Sequence, residues 1–401
     1  MKSTFKKLSL LILLSFICST TTYRSYADPT SDMAAVEEET KPEQTLKKAK
    51  TKTTKVYGNG SFVGASNLAN YPNETDFTPA KIITDKEATK GLDIFKMDGS
   101  VKLGMEKNFV FENNKIDSKI ELQATPKDAK LSQCFLTYEV CKFGITAGLA
   151  ESLFAGAAIQ LAVKYPLNDM VTVGLGAENP QEVSFFGKDE KGKEAAKKAA
   201  KKSDARTPRK DVPVVCGMVK YNLPNELGDV TLSGLYRPLA YKDSKEKKTK
   251  ISQGFGGQLS SEMPFKSKTR TVTINGIFGS GIGEYIPDLQ EVENEPISIC
   301  VVKNKVENIM AGGVHVTYEH HITTAIRAKI GVGGTKVFPA DKDKKEAYEQ
   351  GLYANLNVSY WFTEYTSFGM EYGMGHRKNV GTKFADGKWG QHAKAILSFK
   401  F

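Results

Sequence analysis

The chain has 401 residues, a formal net charge of +10, 35 glycines, 16 tyrosines and a mean hydropathy of −0.36. Beyond its N-terminal segment no run approaches the roughly eighteen apolar residues a spanning helix needs, which excludes a helical membrane protein. A barrel is not excluded, because only alternate residues of its strands face lipid.

The N-terminus carries Lys2, Lys6 and Lys7, then the apolar stretch Leu8–Ile17, then Ser25-Tyr26-Ala27. This order predicts a signal peptide over residues 1–27, because the apolar stretch is too short to anchor in a bilayer. Cys18 follows Ile17, where a lipoprotein signal needs a small residue. Residues 28–54 are polar, acidic at Glu37–Glu39 and lysine-rich at Lys47–Lys55, and read as a periplasmic linker. The barrel is expected over residues 55–401.

From Val56 the texture becomes period-two. Val171, Val173 and Leu175 alternate with Thr172, Gly174 and Gly176; Phe368, Met370, Tyr372 and Met374 alternate with Gly369, Glu371, Gly373 and Gly375. Reading up and down, about sixteen strands are expected, near 56–65, 93–106, 117–126, 132–140, 143–149, 159–165, 169–178, 213–222, 229–241, 251–262, 269–279, 309–319, 322–333, 350–362, 366–377 and 389–401. Lys188–Lys210, rich in Lys and Ala, reads as a solvated external loop or a short helix.

Alternation also fits a soluble β-sandwich. Three features favour an all-β, transmembrane antiparallel barrel. The inward partners are charged, or Gly, Asn and Thr. Short turns, such as Cys141-Lys142 and His320-His321, alternate with long external loops, such as Asn179–Asp211 and Ser280–Asn308. Aromatic residues (Tyr138, Tyr165, Tyr221, Tyr318, Tyr360, Phe362) gather near the short turns, as an interfacial girdle requires. The last strand, Ala393–Phe401, ends on Phe399 and Phe401, an aromatic terminus of the kind the barrel-assembly machinery recognises.

Several segments, in order, resemble the DcaP-like outer-membrane porins: KVYGNGSFVGASN from Lys55, SQCFLTYEVCKFGITAGLAESLF from Ser132, LGAENPQ, LGDVTLSGLYRPLAY, GFGGQLSSEMPF and INGIFGSGIGEYIPDLQ. The resemblance implies a trimeric diffusion channel, general or anion-preferring, set in the bilayer against lipopolysaccharide. Two features depart from that family. Asp28–Thr53 lacks a sustained heptad, and Phe135, Thr137 and Glu139 stand where basic residues are expected.

A diffusion pore needs a wet passage, a constriction and charges that bias transit. Alternation turns Lys102, Lys119, Glu121, Lys164, Arg237, His315, Glu319, Arg327, Lys329, Glu371, Arg377 and Lys394 inward, with bases in excess, so small anionic solutes are favoured. The loop Glu151–Gly156 is the candidate constriction, with Glu151 and Ser152 toward the passage and Phe154 against the wall; the alternative is a plain external turn. No cofactor is expected. No metal-ligand spacing appears among Cys134, Cys141, Cys216 and Cys300, whose disulfide pairing stays open. No nucleic-acid surface is expected either, since Lys188–Asp211 holds most of the mature excess charge. An enzyme is disfavoured because no nucleophile motif surrounds any serine. A structural or adhesive surface barrel with a plugged interior is the remaining alternative.

Overall fold

The computed structural model describes residues 50–69, 79–82, 95–111, 114–126, 128–179, 207–208, 212–242, 249–265, 269–290, 299–302, 305–338 and 347–401. The expected signal peptide, most of the linker and all of the basic loop Lys188–Lys210 except Thr207 and Pro208 lie outside them. Nineteen strands occur among the described residues: β1 Lys50–Ala69, β2 Phe95–Phe111, β3 Asn114–Ala124, β4 Ala129–Val140, β5 Phe143–Glu151, β6 Ala157–Pro166, β7 Val171–Glu178, β8 Thr207–Pro208, β9 Val214–Asn222, β10 Asp229–Lys242, β11 Thr249–Phe265, β12 Arg270–Ser280, β13 Ile299–Val302, β14 Lys305–Asn308, β15 Met310–His321, β16 Ile326–Phe338, β17 Tyr348–Trp361, β18 Thr366–Asn379 and β19 Lys388–Lys400.

Sixteen of these make one closed antiparallel barrel. The two-residue β8 only extends the pairing of β10, and β13–β14 form a separate hairpin in a connection. Closure is direct: Asn59 on β1 lies opposite both Lys102 on β2 and Lys400 on β19. No edge is left in the wall, which a bilayer demands because it offers unpaired backbone groups no partner.

The register sorts the side chains into two faces. One face presents Phe62, Leu103, Leu136, Leu161, Leu175, Leu232, Leu259, Val314, Ile330, Leu356, Met370 and Leu397, all well exposed. A continuous exposed apolar band is intolerable in water and required in lipid. The other face carries the charged and small residues. Tyr138, Tyr165, Tyr221, Tyr318 and Tyr360 occupy outward positions near the short turns.

Three short turns share one device. In Leu167–Val171, Ile322–Ile326 and Phe362–Thr366 the first residue's N–H donates to the fifth residue's carbonyl, at 2.8, 2.9 and 3.0 Å. The second residue is Asn168, Thr323 or Thr363, and its side-chain oxygen accepts from the N–H groups two and three residues on. This corrects one boundary. The turn expected at His320-His321 lies at Ile322–Ala325, and both histidines belong to β15, because Thr323, not histidine, supplies the acceptor that closes the chain on itself.

At the closing seam, the N–H of Gly58 donates to the carbonyl of Phe401 and the N–H of Phe401 to the carbonyl of Gly58, both at 2.9 Å. The rings of Phe401 and Phe399 lie over Gly58 and Gly60. A Cβ at either glycine would sit 2.2 Å from ring carbon. The terminal aromatics thus fit β1 only because β1 has no side chain there.

Candidate functional site

The interior is narrowed by three connections from the long-loop end, built around residues 79–82, 152–156 and 281–290. Their apolar side chains meet inner-face residues of the wall. Leu153, Phe154, Ile282 and Tyr285 cluster with Ala162, Val214, Cys216 and Leu235. Ala80, Ile286 and Leu289 cluster with Ala311, Val337 and Tyr348. Each large side chain buried in this way contributes about 1.5–3 kcal/mol, so the loops are held by the same force that holds a soluble core.

The expected constriction Glu151–Gly156 therefore bends inward, but its parts separate. Phe154 is buried edge-on to Tyr285, with ring centroids 5.7 Å apart. Ser152 donates to the Glu178 carboxylate at 2.7 Å, and the N–H of Leu153 donates to the same oxygen at 3.1 Å. Glu151 does not join them. It stands opposite Ala157 in the ladder, exposed and on the outward parity, because β5 runs to Glu151, two residues beyond the expected end at 149, before the chain turns.

The larger correction concerns Ser280–Asn308, expected as an external loop. Its described first part, Gly281–Gln290, folds into the barrel as a 3₁₀ turn at Gly283–Tyr285 and a helical turn at Pro287–Gln290. Ile282, Tyr285, Ile286 and Leu289 recur at intervals of three and four, an apolar stripe that solvent would not hold. That spacing was the available signal. The loop is pinned electrostatically as well: Arg237 donates to Glu284 at 2.7 Å, both almost wholly buried, with the guanidinium 5.4 Å from the Tyr285 ring centroid.

All twelve charged or imidazole residues named from the sequence stand on the inward parity, but their surroundings differ. Arg237 is 1% exposed and clamps the loop, so its charge is answered by Glu284 rather than by a passing solute. Arg377 donates to the carbonyl of Ala80 and to Asn379, and holds the first inward loop against Tyr348. Lys102 pairs with Glu121 at 3.6 Å and Lys119 with Glu106 at 3.0 Å; Glu121 also accepts from Tyr57. Lys394 pairs with Glu371 at 2.9 Å. Glu319 meets His321 at 3.1 Å. Lys164 lines a recess of about 750 Å³ with Lys115, Asp117 and Glu139.

Arg327 and Lys329 have a different setting. Arg327 and Lys400 lie 4.4 and 4.9 Å from the ring centroid of Trp361, an inward tryptophan that sequence reasoning did not single out. Lys329 stands between Glu319 and Asn357 in the ladder. This part of the inner face, on β16, β17 and β19, concentrates positive charge, whereas the arc β2–β4 is a mesh of ion pairs.

His315 faces a further cavity of about 300 Å³ between the inward loops and the wall, also lined by Tyr285, Asp288 and Tyr353. Burial pushes the Asp288 carboxyl up to about 6 and the Tyr285 phenol up to about 12. Among the described residues no group of three or more His, Cys, Asp or Glu side chains is placed to hold a metal.

A scan against protein-family models and a search of curated proteins both give no match. Solved structures do match in fold. The outer-membrane channel DcaP of Acinetobacter baumannii superposes with a TM-score of 0.69 at 15% identity, over 87% of this chain and 97% of that one. An anion-selective porin from Comamonas acidovorans gives 0.55 at 9% identity, over 87% and 99%. The trimer form of OmpT from Vibrio cholerae gives 0.52 at 11% identity, over 87% and 99%. The fold is that of an outer-membrane porin.

Proposed function

We propose that this protein is a passive diffusion channel of an outer membrane, exported by a cleaved signal peptide over residues 1–27, and that it passes small hydrophilic solutes with a mild preference for anions. One observation carries the reading: a closed sixteen-strand barrel with a polar inner face, narrowed by loops folded back from the long-loop end. Narrowing a wet barrel in this way is how selectivity is built without a binding partner or a reaction.

The anion preference rests on Arg327, Lys329 and Lys400, which make no ion pair among the described residues, while Lys102, Lys119 and Lys394 are paired with carboxylates. A low-dielectric wall focuses the field of such a cluster into the passage. A trimer in the bilayer, in contact with lipopolysaccharide, is part of the proposal and is supported by the trimeric OmpT of the same fold.

Reconstitution into planar bilayers tests the reading. Stepwise ion conductance is expected, with reversal potentials under a salt gradient displaced toward anions. Replacing Arg327, Lys329 and Lys400 together by glutamine should abolish the displacement. Folded protein that never conducts would sink the channel, and a cation preference in the unaltered protein would sink the selectivity.

A further inference from the structure

The wall of the barrel closes, but β1 runs on past its closing partner. Its ladder with β2 extends from Ser66 down to Lys50, whereas its pairing on the other side ends where Gly58 meets Phe401, the last residue of β19's line. The run Lys50–Tyr57 therefore has β2 along one edge and no strand along the other among the described residues.

The alternation of the backbone fixes which groups are left over. Both the N–H and the C=O of Gly58 turn to Phe401, and every second residue of a strand turns these groups to the same side. Those of Val56 and Thr54 thus point away from β2, in line with β19 but beyond its end. Neither residue has a hydrogen bond on that side among the described residues. Thr54 is exposed and Val56 is 74% exposed. Hydrocarbon would not tolerate such an edge, so it belongs to the water beyond the short turns, with Thr54 about 13 Å of strand from Gly58.

We propose that this edge is a docking strand for an extended, acidic segment of a periplasmic polypeptide, which adds to the sheet along β1 in line with β19. The proposal goes beyond the diffusion reading and rests on it only for the compartment that the short turns face.

The edge selects its partner by spacing. Unpaired N–H and C=O groups at strand intervals are answered by another strand, because an extended backbone repeats donor and acceptor at the same interval. Charge then selects the sequence. The run Lys50–Tyr57 contains Lys50, Lys52 and Lys55 and no acid. Lys55 makes no ion pair among the described residues, since Glu106, opposite it on β2, is paired with Lys119 at 3.0 Å. An acid opposite Lys55 in the added strand would meet that lysine across the ladder, and an apolar residue opposite Val56 would cover its side chain. The fitting segment therefore alternates acidic and apolar residues.

The test is titration of the full-length protein, folded in detergent, with a synthetic peptide of alternating valine and glutamate as long as the free run. Amide exchange over residues 53–57 and bilayer conductance are measured on the same preparation. Saturable binding is expected, with exchange slowed at Thr54 and Val56. Val56→Pro removes an N–H that the barrel does not use, so it should weaken binding about tenfold while the folded barrel stays heat-resistant. On the unaltered protein, a peptide N-methylated at alternate residues should bind at least as weakly. Absence of saturable binding, equal affinity in Val56→Pro, or equal binding of a valine–lysine peptide would overturn the proposal. So would Thr54 and Val56 amides already protected in the protein alone, which would show the edge covered by this chain or by a second copy. Conductance without peptide binding would sink the dock alone, and binding without conductance would sink the channel reading alone.

Discussion

At the scale of the residue, charge is decided by surroundings and not by count. Arg237 and Arg327 are both inward arginines, yet one is answered by Glu284 and the other by a tryptophan ring. Glu178 is buried and accepts from Ser152 and from the N–H of Leu153. Glu178→Ala should release the loop after β5, at a cost of roughly 3 kcal/mol for hydrogen bonds to a charged group. A larger single-channel conductance, with lower thermal stability, is the expected readout. Asp288 yields a prediction with a sign. Its ordinary value is 3.8 and burial raises it to about 6 in the folded protein. The folded state therefore binds this proton more tightly than the unfolded one. Stability falls as pH rises from about 4 to about 6 and is level above, while the folded constriction gains one negative charge around pH 6. Anion preference should decline between pH 5 and pH 7, and Asp288→Asn should remove that decline in reversal-potential measurements.

At the scale of the element, the strands and the inward turn after β5 were legible, and the inward loop Gly281–Gln290 was not. Alternation reports which face a residue takes because a strand turns its side chains strictly over and under. It therefore placed Lys102, Glu371 and Lys394 on the face where the register puts them. The loop Gly281–Gln290 carried its apolar stripe in the sequence too, but the stripe does not say what covers it. Its cover is Leu235 and Val214 for Ile282 and Tyr285, and Ala311 and Val337 for Ile286 and Leu289, all brought near only by closure of the barrel. Glu284→Gln should be the more damaging test of this loop. It leaves the Arg237 charge buried without its carboxylate, at a cost of about 3–5 kcal/mol. Loss of the constricted conductance state in bilayers, with the β-sheet circular dichroism signal retained, is expected.

At the scale of the whole molecule, the seam between β1 and β19 is where the fold is completed. Phe399 and Phe401 stack with ring centroids 6.4 Å apart and cover Gly60 and Gly58. Gly58→Val forces a Cβ into the Phe401 ring from the far end of the chain. Deletion of Phe401 removes the ring and its backbone pairing with Gly58. Both changes should lower the yield of heat-resistant folded barrel in the membrane, whereas the channels that do form should conduct normally. Wild-type yields from both would show that the seam does not depend on this contact.

The sequence by itself determined the barrel class, the strand number and the face each inward charge takes. These follow from a local two-residue period repeated along the chain, and from an even count that brings both ends to the short-turn side. Only the tertiary structure decided which inward groups stay open to a solute. Arg377 meets Ala80 across 297 positions, and Glu284 meets Arg237 across 47. Pairings at such separations depend on barrel closure and on loops folding against the wall, and no local pattern records either.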